Sequence, residues 1–191
     1  MTLVFQRRVD GEQQEQLKGN TMQKKILFDA DTIARRVQEL GAEISAKYAH
    51  ENLLVVGVLK GCFVFVADLV RHLTCDCVVD FARIASYGAG TESSGHLKII
   101  TDILTDVKGK RVLLVDDIVD TGLTLSEYRQ HLANQGPLSL EVAALIDKTS
   151  RREKYIALDY CGFRIESGFI VGYGLDCNEQ YRHLPGLYIL E

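Results

Sequence analysis

The segment from Val112 to Thr124 carries the residues best suited to chemistry, because three acids, two threonines and a glycine follow an aliphatic run. The run leads into Asp116 and Asp117, and Asp120 precedes the start of a predicted helix. Free amides at a helix start, with hydroxyl groups beside them, bind phosphate. Carboxylates at a strand end can accept hydrogen bonds from the vicinal hydroxyls of a sugar. The segment therefore predicts a site for a phosphorylated sugar. The alternative is a solvated strand end followed by a helix that Asp120 or Thr121 caps.

Strands and helices alternate along the chain around this segment. Aliphatic runs predict strands at residues 53–59, 77–87, 97–101, 108–117, 140–147, 169–176 and 187–190. Helical spacing predicts a helix from Asp31, as N-cap, to Tyr48, and two more at residues 63–73 and 123–136, the last ended by Gly136. This order predicts an α/β fold with a mostly parallel sheet, in which ligands bind beyond the carboxyl ends of the strands.

Composition limits the class of protein. With 191 residues, of which 47% are hydrophobic and 25% charged, the chain is expected to form one domain over residues 25–191, after a polar tail at 1–24 that cannot bury a core. The net charge of -4 argues against a nucleic-acid partner. No apolar run is long enough to span a membrane. The odd number of cysteines, five, and their irregular spacing predict buried thiols in a reducing cytoplasm and no zinc site.

The Val112–Thr124 segment resembles the phosphoribosyl-pyrophosphate (PRPP) signature of the type I phosphoribosyltransferases. Three further segments are similar to the hypoxanthine and hypoxanthine-guanine phosphoribosyltransferases of purine salvage, namely Val58–Gly61, Ser86–Gly95 and Phe169–Asp176. The resemblance runs from about Ile26 to the end of the sequence, in the order of the family. It implies a twisted, mostly parallel sheet flanked by helices, a small hood that binds the base, and a mobile loop.

The resemblance also implies an activity. This is the Mg²⁺-dependent transfer of the 5-phosphoribosyl group from PRPP to N9 of a 6-oxopurine base, with release of pyrophosphate. Hypoxanthine is the expected base, and guanine and xanthine are further candidates. The implied assembly is a homodimer or a homotetramer, and the loop of residues 86–96 is expected to close over the site.

Individual residues take their implied roles from the positions that match the family. Asp120 is the implied catalytic base for the purine N7 proton. The implied ribose-phosphate site comprises Asp116, Asp117, Thr121, Gly122, Leu123 and Thr124. The implied pyrophosphate site comprises Lys60, Gly61, Ser86, Tyr87 and Arg182. The implied purine site comprises Lys148, Phe169 and Ile170, and the implied Mg²⁺ ligands are Asp116, Asp117 and Asp176.

Several of these residues also have ordinary structural interpretations. Lys60 can be a surface lysine that ends a strand, and Phe169 can be a core residue. Asp176 and Arg182 can be charges at a rim. Leu123 departs from the family, since some members carry lysine there, so the phosphate site must depend on amides and hydroxyls. Family members often have a non-proline cis peptide bond before the residue that Lys60 matches.

Two other classes of protein share parts of this pattern. The first is a non-catalytic regulator on the same fold that senses PRPP or nucleotides. Such regulators tend to lose the acid at the Asp120 position and to carry a basic face, whereas this sequence retains the acid and has a net charge of -4. The second is a receiver domain, whose acidic pair belongs on the first strand. Asp116 and Asp117 instead lie past the middle of the chain.

Overall fold

A six-stranded sheet forms the centre of the molecule. The computed structural model describes residues 23–85 and 98–191. The strands are β1 Lys24–Phe28, β2 Leu53–Leu59, β3 Cys77–Ala85, β4 Lys98–Thr101, β5 Arg111–Val119, β6 Ser139–Lys148, β7 Tyr160–Ile165, β8 Phe169–Val171 and β9 Leu187–Leu190. The helices are α1 Ala30–Lys47, α2 Phe63–Arg71 and α3 Leu123–Ala133. The strand order of the large sheet is β4-β3-β2-β5-β6-β7.

The large sheet is parallel except at one edge. β3, β2, β5, β6 and β7 pair in parallel, and β4 pairs antiparallel with β3. The carboxyl ends of β2, β5 and β6 therefore meet at one edge of the sheet, as the predicted α/β fold requires. That prediction of fold class is confirmed.

Apolar side chains fill both faces of the sheet. Along β2, Leu53 and Val55 face one core, together with α1 and α2, while Leu54 and Val56 face the other. This alternation explains why the continuous aliphatic run 53–59 predicts a strand that is buried on both faces. The helix α3 covers the second face through Leu125, Tyr128 and Leu132. The strand ends that carry the candidate site thus stand on a rigid, doubly covered sheet.

A second, smaller sheet has the order β1-β9-β8, with antiparallel pairing throughout. It joins the described residues nearest both ends of the chain, since Gln23 and Glu191 exchange two backbone hydrogen bonds of 3.1–3.2 Å. This sheet corresponds to the predicted hood. The strand β1 was not predicted, and it begins at Lys24, inside the predicted tail. Residues 1–22 of that tail lie outside the described residues.

Several predicted element boundaries were wrong. α1 begins at Ala30, and its N-cap is Asp29 rather than Asp31, because the Asp29 carboxylate accepts a hydrogen bond of 2.8 Å from the Thr32 amide. Hydrogen bonding with the Thr32 side chain lowers the pKa of Asp29, and the hydrogen bond from the Thr32 amide lowers it further. α2 ends at Arg71 and α3 at Ala133, each short of its predicted end, and β8 spans only three residues. The edge strand β7 was not predicted.

Candidate active site

Two buried acids lie near the carboxyl end of β5. Asp116 and Asp117 are only 7% and 1% exposed, and an oxygen of Asp116 accepts a hydrogen bond of 2.9 Å from the Asp117 amide. The prediction that the strand ends at Asp117 was wrong, because Ile118 and Val119 continue the pairing with β6. The acids therefore belong to a fixed strand and are not a solvated strand end.

The turn after β2 lies directly against these acids. A Cβ atom on Gly61 would come 1.8 Å from Asp117 Oδ2, so glycine is the residue that permits this approach. The peptide bond between Leu59 and Lys60 is cis, as the family resemblance implies. The structure thus brings Gly61, from the implied pyrophosphate site, into contact with an acid of the implied ribose site.

Burial raises the pKa of the neighbouring Cys62 thiol, and the nearby Asp116 and Asp117 carboxylates raise it further. Cys62 is buried and is therefore neutral near pH 7, which suits a packing residue. None of the five cysteines forms a disulfide.

The turn from Asp120 to Gly122 connects β5 to α3. The N-cap residue of α3 is Gly122, which has a φ of 80° and no side chain that could hydrogen-bond to the helix. Thr121 Oγ1 makes a long contact of 3.4 Å with the Leu123 amide. The alternative in which Asp120 caps the helix is therefore wrong, and its carboxylate points elsewhere. Leu123 opens the helix and is 39% exposed, and Thr124 follows it, partly buried.

The parallel pairing of β5 with β6 brings the implied base next to the implied purine donor. Val119 pairs with Asp147, so the next residues on the two strands, Asp120 and Lys148, are neighbours. Lys148 Nζ lies 3.4 Å from Asp120 Oδ2, and Lys148 is only 9% exposed. Asp120 Oδ1 is buried and has no hydrogen-bond partner among the described residues. The pair therefore presents an ammonium donor beside an unused carboxylate acceptor.

A network of charges joins the two implied pyrophosphate residues. Lys60 Nζ lies 2.8 Å from one carboxylate oxygen of Glu179, and Arg182 Nη2 lies 3.1 Å from the other. Arg182 Nη2 also lies 2.8 Å from Asp176 Oδ1. The hydrogen bond from Lys60 lowers the pKa of Glu179, and that from Arg182 adds to the effect, against burial, which raises it. Two cations thus converge on one carboxylate.

Phe169 and Ile170 lie in the small sheet. Phe169 opens β8 and is partly buried, while Ile170 is 6% exposed. Phe169 follows Ile165 by four residues, and Ile165 is the register partner of Lys148. The two residues are therefore connected to the Lys148 side of the site by one short turn. Ser86 and Tyr87, with the rest of the predicted loop, lie outside the described residues.

A family model for the phosphoribosyl transferase domain matches residues 23–178, which includes every residue with an implied role except Arg182. The chain belongs to the phosphoribosyl transferase family. The resemblance inferred from the sequence is confirmed, and neither the receiver-domain alternative nor the regulator alternative receives support.

Relatives of this phosphoribosyl transferase carry consistent names. It is 45% identical over 168 residues to the hypoxanthine-guanine phosphoribosyltransferase of Aquifex aeolicus, covering 87% of this chain and 94% of that protein. It is 41% identical over 162 residues to the hypoxanthine phosphoribosyltransferase of Escherichia coli, covering 84% of this chain and 91% of that one. A crystal structure of a hypoxanthine phosphoribosyltransferase from Staphylococcus aureus superposes with a TM-score of 0.84 at 35% identity, covering 96% and 97% of the two chains.

The acids of this phosphoribosyl transferase can be compared with the ligands that magnesium prefers. No group of three or more His, Cys, Asp or Glu residues within 23–85 and 98–191 could hold a metal. Mg²⁺ commonly binds one or two carboxylates together with substrate phosphates and water. Asp116 and Asp117 fit that pattern. One oxygen of the Asp176 carboxylate contacts Arg182, and the other accepts a hydrogen bond of 2.9 Å from the Glu179 amide. A metal ion bound to Asp176 would therefore share the carboxylate with these two partners.

Sequence reasoning missed two residues that organise the site of this phosphoribosyl transferase. Glu179 joins Lys60 to Arg182, and Arg152 donates a hydrogen bond of 3.0 Å to the Asp120 carbonyl. The pair Arg151-Arg152, soon after Lys148, was a weak indication that charge is needed there. No sequence pattern indicates a role for Glu179. Its partner Lys60 is 119 residues away in the sequence, and its partner Arg182 lies in an irregular turn.

Gly122→Ala should destabilise the protein more than Gly109→Ala. Both glycines have a positive φ, 80° and 69°, so each substitution adds about 1–2 kcal/mol of backbone strain. A Cβ on Gly122 would also meet the Lys154 carbonyl oxygen at 2.2 Å, whereas nothing lies within 4 Å of one on Gly109. Crowding of this kind adds about 1–3 kcal/mol. Urea denaturation measures both variants, and equal losses of stability would contradict the close contact.

Proposed function

We propose that the protein transfers the 5-phosphoribosyl group from PRPP to N9 of hypoxanthine in purine salvage, giving inosine monophosphate and pyrophosphate. The names of its relatives support hypoxanthine as the base. The observation that carries the proposal is the 3.4 Å approach of Lys148 Nζ to Asp120 Oδ2 at the carboxyl edge of the sheet.

This pair complements one edge of a 6-oxopurine. The base presents an oxygen acceptor at position 6 and, in its N7-protonated form, a hydrogen-bond donor next to it. Lys148 supplies a donor that cannot act as an acceptor, and the free Oδ1 of Asp120 supplies the acceptor. Phe169 would stack on the ring, and the Ile170 backbone would read the opposite edge.

The remaining roles follow the positions of the side chains around the strand ends. Asp116 and Asp117 would hold the ribose hydroxyls, and the 5-phosphate would bind the amides and hydroxyls of residues 121–124. Lys60, Gly61 and Arg182 would bind pyrophosphate, with Ser86 and Tyr87 assigned there by the resemblance alone. These roles place the anomeric carbon of PRPP between the acids of β5 and the purine site.

The reaction breaks the bond between the anomeric carbon and the pyrophosphate oxygen and forms the bond to N9. The ribose gains oxocarbenium character, which the Asp116 and Asp117 carboxylates can stabilise, and Asp120 takes the N7 proton. Bound Mg²⁺ would neutralise charge on the leaving pyrophosphate, with Asp116 and Asp117 as ligands at one position beside PRPP and Asp176 as a ligand at a second position. Lys60 and Arg182 contribute positive charge to the same group.

The reaction itself can be tested by measuring pyrophosphate release with PRPP and each of hypoxanthine, guanine, xanthine and adenine. We expect turnover with hypoxanthine that requires Mg²⁺. Adenine presents an amino donor to Lys148 and should therefore be a poor substrate. Efficient adenine turnover, or PRPP binding without turnover of any base, would contradict the proposal.

Asp120→Asn should lower kcat by about 10²–10⁴, the usual contribution of a general base, with the KM for PRPP nearly unchanged. The 5-phosphate would bind mainly the backbone amides of residues 121–124, the phosphate turn, and asparagine at position 120 leaves these amides in place. Asp116→Asn should instead weaken PRPP binding as well as turnover, because a ribose hydrogen bond acts in both states. Steady-state kinetics compare the two. Loss of PRPP binding by Asp120→Asn with normal kcat would show that Asp120 only supports the turn.

Lys148→Ala should raise the KM for hypoxanthine far more than the KM for PRPP. The substitution leaves the purine oxygen without its donor, at a cost of about 1–3 kcal/mol. Lys108→Ala is the control, because Lys108 is exposed and precedes the amino end of β5, at the opposite end of the strand from Asp120. A parallel rise in both KM values would mean that Lys148 does not distinguish the base from PRPP.

Two broader features of the protein belong to the same proposal. A location in the cytoplasm agrees with the five cysteines, which are all free thiols. Separately, no helix in the described residues is long and apolar enough to span a membrane.

The homodimer or homotetramer that the family resemblance implies is tested by analytical ultracentrifugation. A sedimentation coefficient of a 21.4 kDa monomer at micromolar concentration would contradict it.

A further inference from the structure

Arg152 holds the two strand ends that carry Asp120 and Lys148. Its Nε donates a hydrogen bond of 3.0 Å to the Asp120 carbonyl, and its Nη2 donates to the Val119 carbonyl at 3.0 Å. The same Nη2 lies 3.3 Å from the Lys148 carbonyl and 2.5 Å from an oxygen of Asp147. One guanidinium group thus contacts the backbone at the ends of β5 and β6.

The surroundings make these contacts stronger than those of a surface arginine. The side chains of Arg152 and Asp147 are only 18% and 11% exposed, so water competes weakly for them. The Asp147 carboxylate compensates the buried positive charge. Backbone carbonyls supply the other acceptors, so the arrangement is directional and not a simple ion pair.

The segment that carries Arg152 also packs against the phosphate turn. The amides of Glu153 and Lys154 both donate to the Thr121 carbonyl, at 2.9 and 3.0 Å. Gly122 lies against the Lys154 carbonyl, where a side chain would not fit. Residues 152–154 therefore support Asp120 and the turn from one side, and Arg152 connects this support to β6.

We propose that Arg152 is a positioning residue that fixes the Asp120 carboxylate and the Lys148 ammonium at their 3.4 Å separation. The proposal rests on the function proposed above for this pair. Arg152 acts through the backbone that carries both groups, and Asp147 and the carbonyls accept hydrogen bonds from its Nε and Nη2 atoms. As a consequence, the Lys148 donor and the Asp120 acceptor already have the separation that the purine edge requires before the base binds.

Lysine cannot replace this arrangement, which gives a sharp test. Arg152→Lys retains the charge, but an ammonium is a single point donor and cannot span the Val119, Asp120 and Lys148 carbonyls as a planar guanidinium does. Arg164→Lys is the matched control, because Arg164 Nε lies 3.4 Å from the other oxygen of Asp147, yet its side chain is 76% exposed. Both variants remove one arginine from the same carboxylate.

The experiment measures kcat and KM for both substrates in the parent and both variants, with hydrogen-deuterium exchange of peptides that cover residues 119–124 and 147–154. We expect Arg152→Lys to lower kcat/KM for hypoxanthine at least tenfold and to speed exchange in both segments. Arg164→Lys should stay within twofold of the parent in both measurements. In the Asp120→Asn background, Arg152→Lys should cause a much smaller further loss, whereas a purely structural role would give the same loss in either background.

Each failure has a separate meaning. If the parent does not use hypoxanthine, the proposed function is wrong, and unchanged exchange in Arg152→Lys would independently overturn the positioning role. If the parent is active and Arg152→Lys stays within twofold, only the inference about Arg152 is wrong. Should Arg152→Lys not fold, Arg152→Gln, which retains a planar amide donor, is measured in the same way, and parent-like kinetics and exchange would again overturn the inference.

Discussion

The register between β5 and β6 is the constraint on which the site depends. Because the strands are parallel and Val119 pairs with Asp147, residues that are far apart in sequence emerge side by side at one edge of the sheet. The backbone hydrogen bonds of two central strands, covered by apolar residues on both faces, hold that alignment. The side chains at this edge, Asp120 and Lys148 among them, therefore take their positions from the buried centre of the sheet.

Around this fixed edge, acids and cations lie side by side. Asp116 and Asp117 lie on β5, whereas Lys60 and Arg182 come from turns and converge on Glu179. Gly61 connects the two groups, since its backbone lies against Asp117. The site thus combines the amide groups of the turn after β5, the carboxylates of β5 and two cations that are paired with Glu179.

Parts of this arrangement could be predicted from the sequence because they leave local patterns. The run 53–59 and the acids that follow 112–115 are continuous in sequence, and their spacing predicted strands and a ligand site. The Asp29 cap could not be predicted, because apolar periodicity marks the interior of a helix and not its first hydrogen bond. β7 mixes glycine, arginine and aromatic residues at a sheet edge, so it has no clear period. Arg152 and Glu179 act on carbonyls and cations that only the folded chain brings near.

The small sheet has a consequence for folding during synthesis. β1 leaves the ribosome before every other described strand, yet its partner β9 leaves last. The large sheet can assemble in the meantime, because its strands lie between them in sequence and domains fold as their segments emerge. β8, which carries Phe169, also pairs with β9. A nascent chain would therefore form the turn after β5 early and fix the position of Phe169 only when β9 arrives.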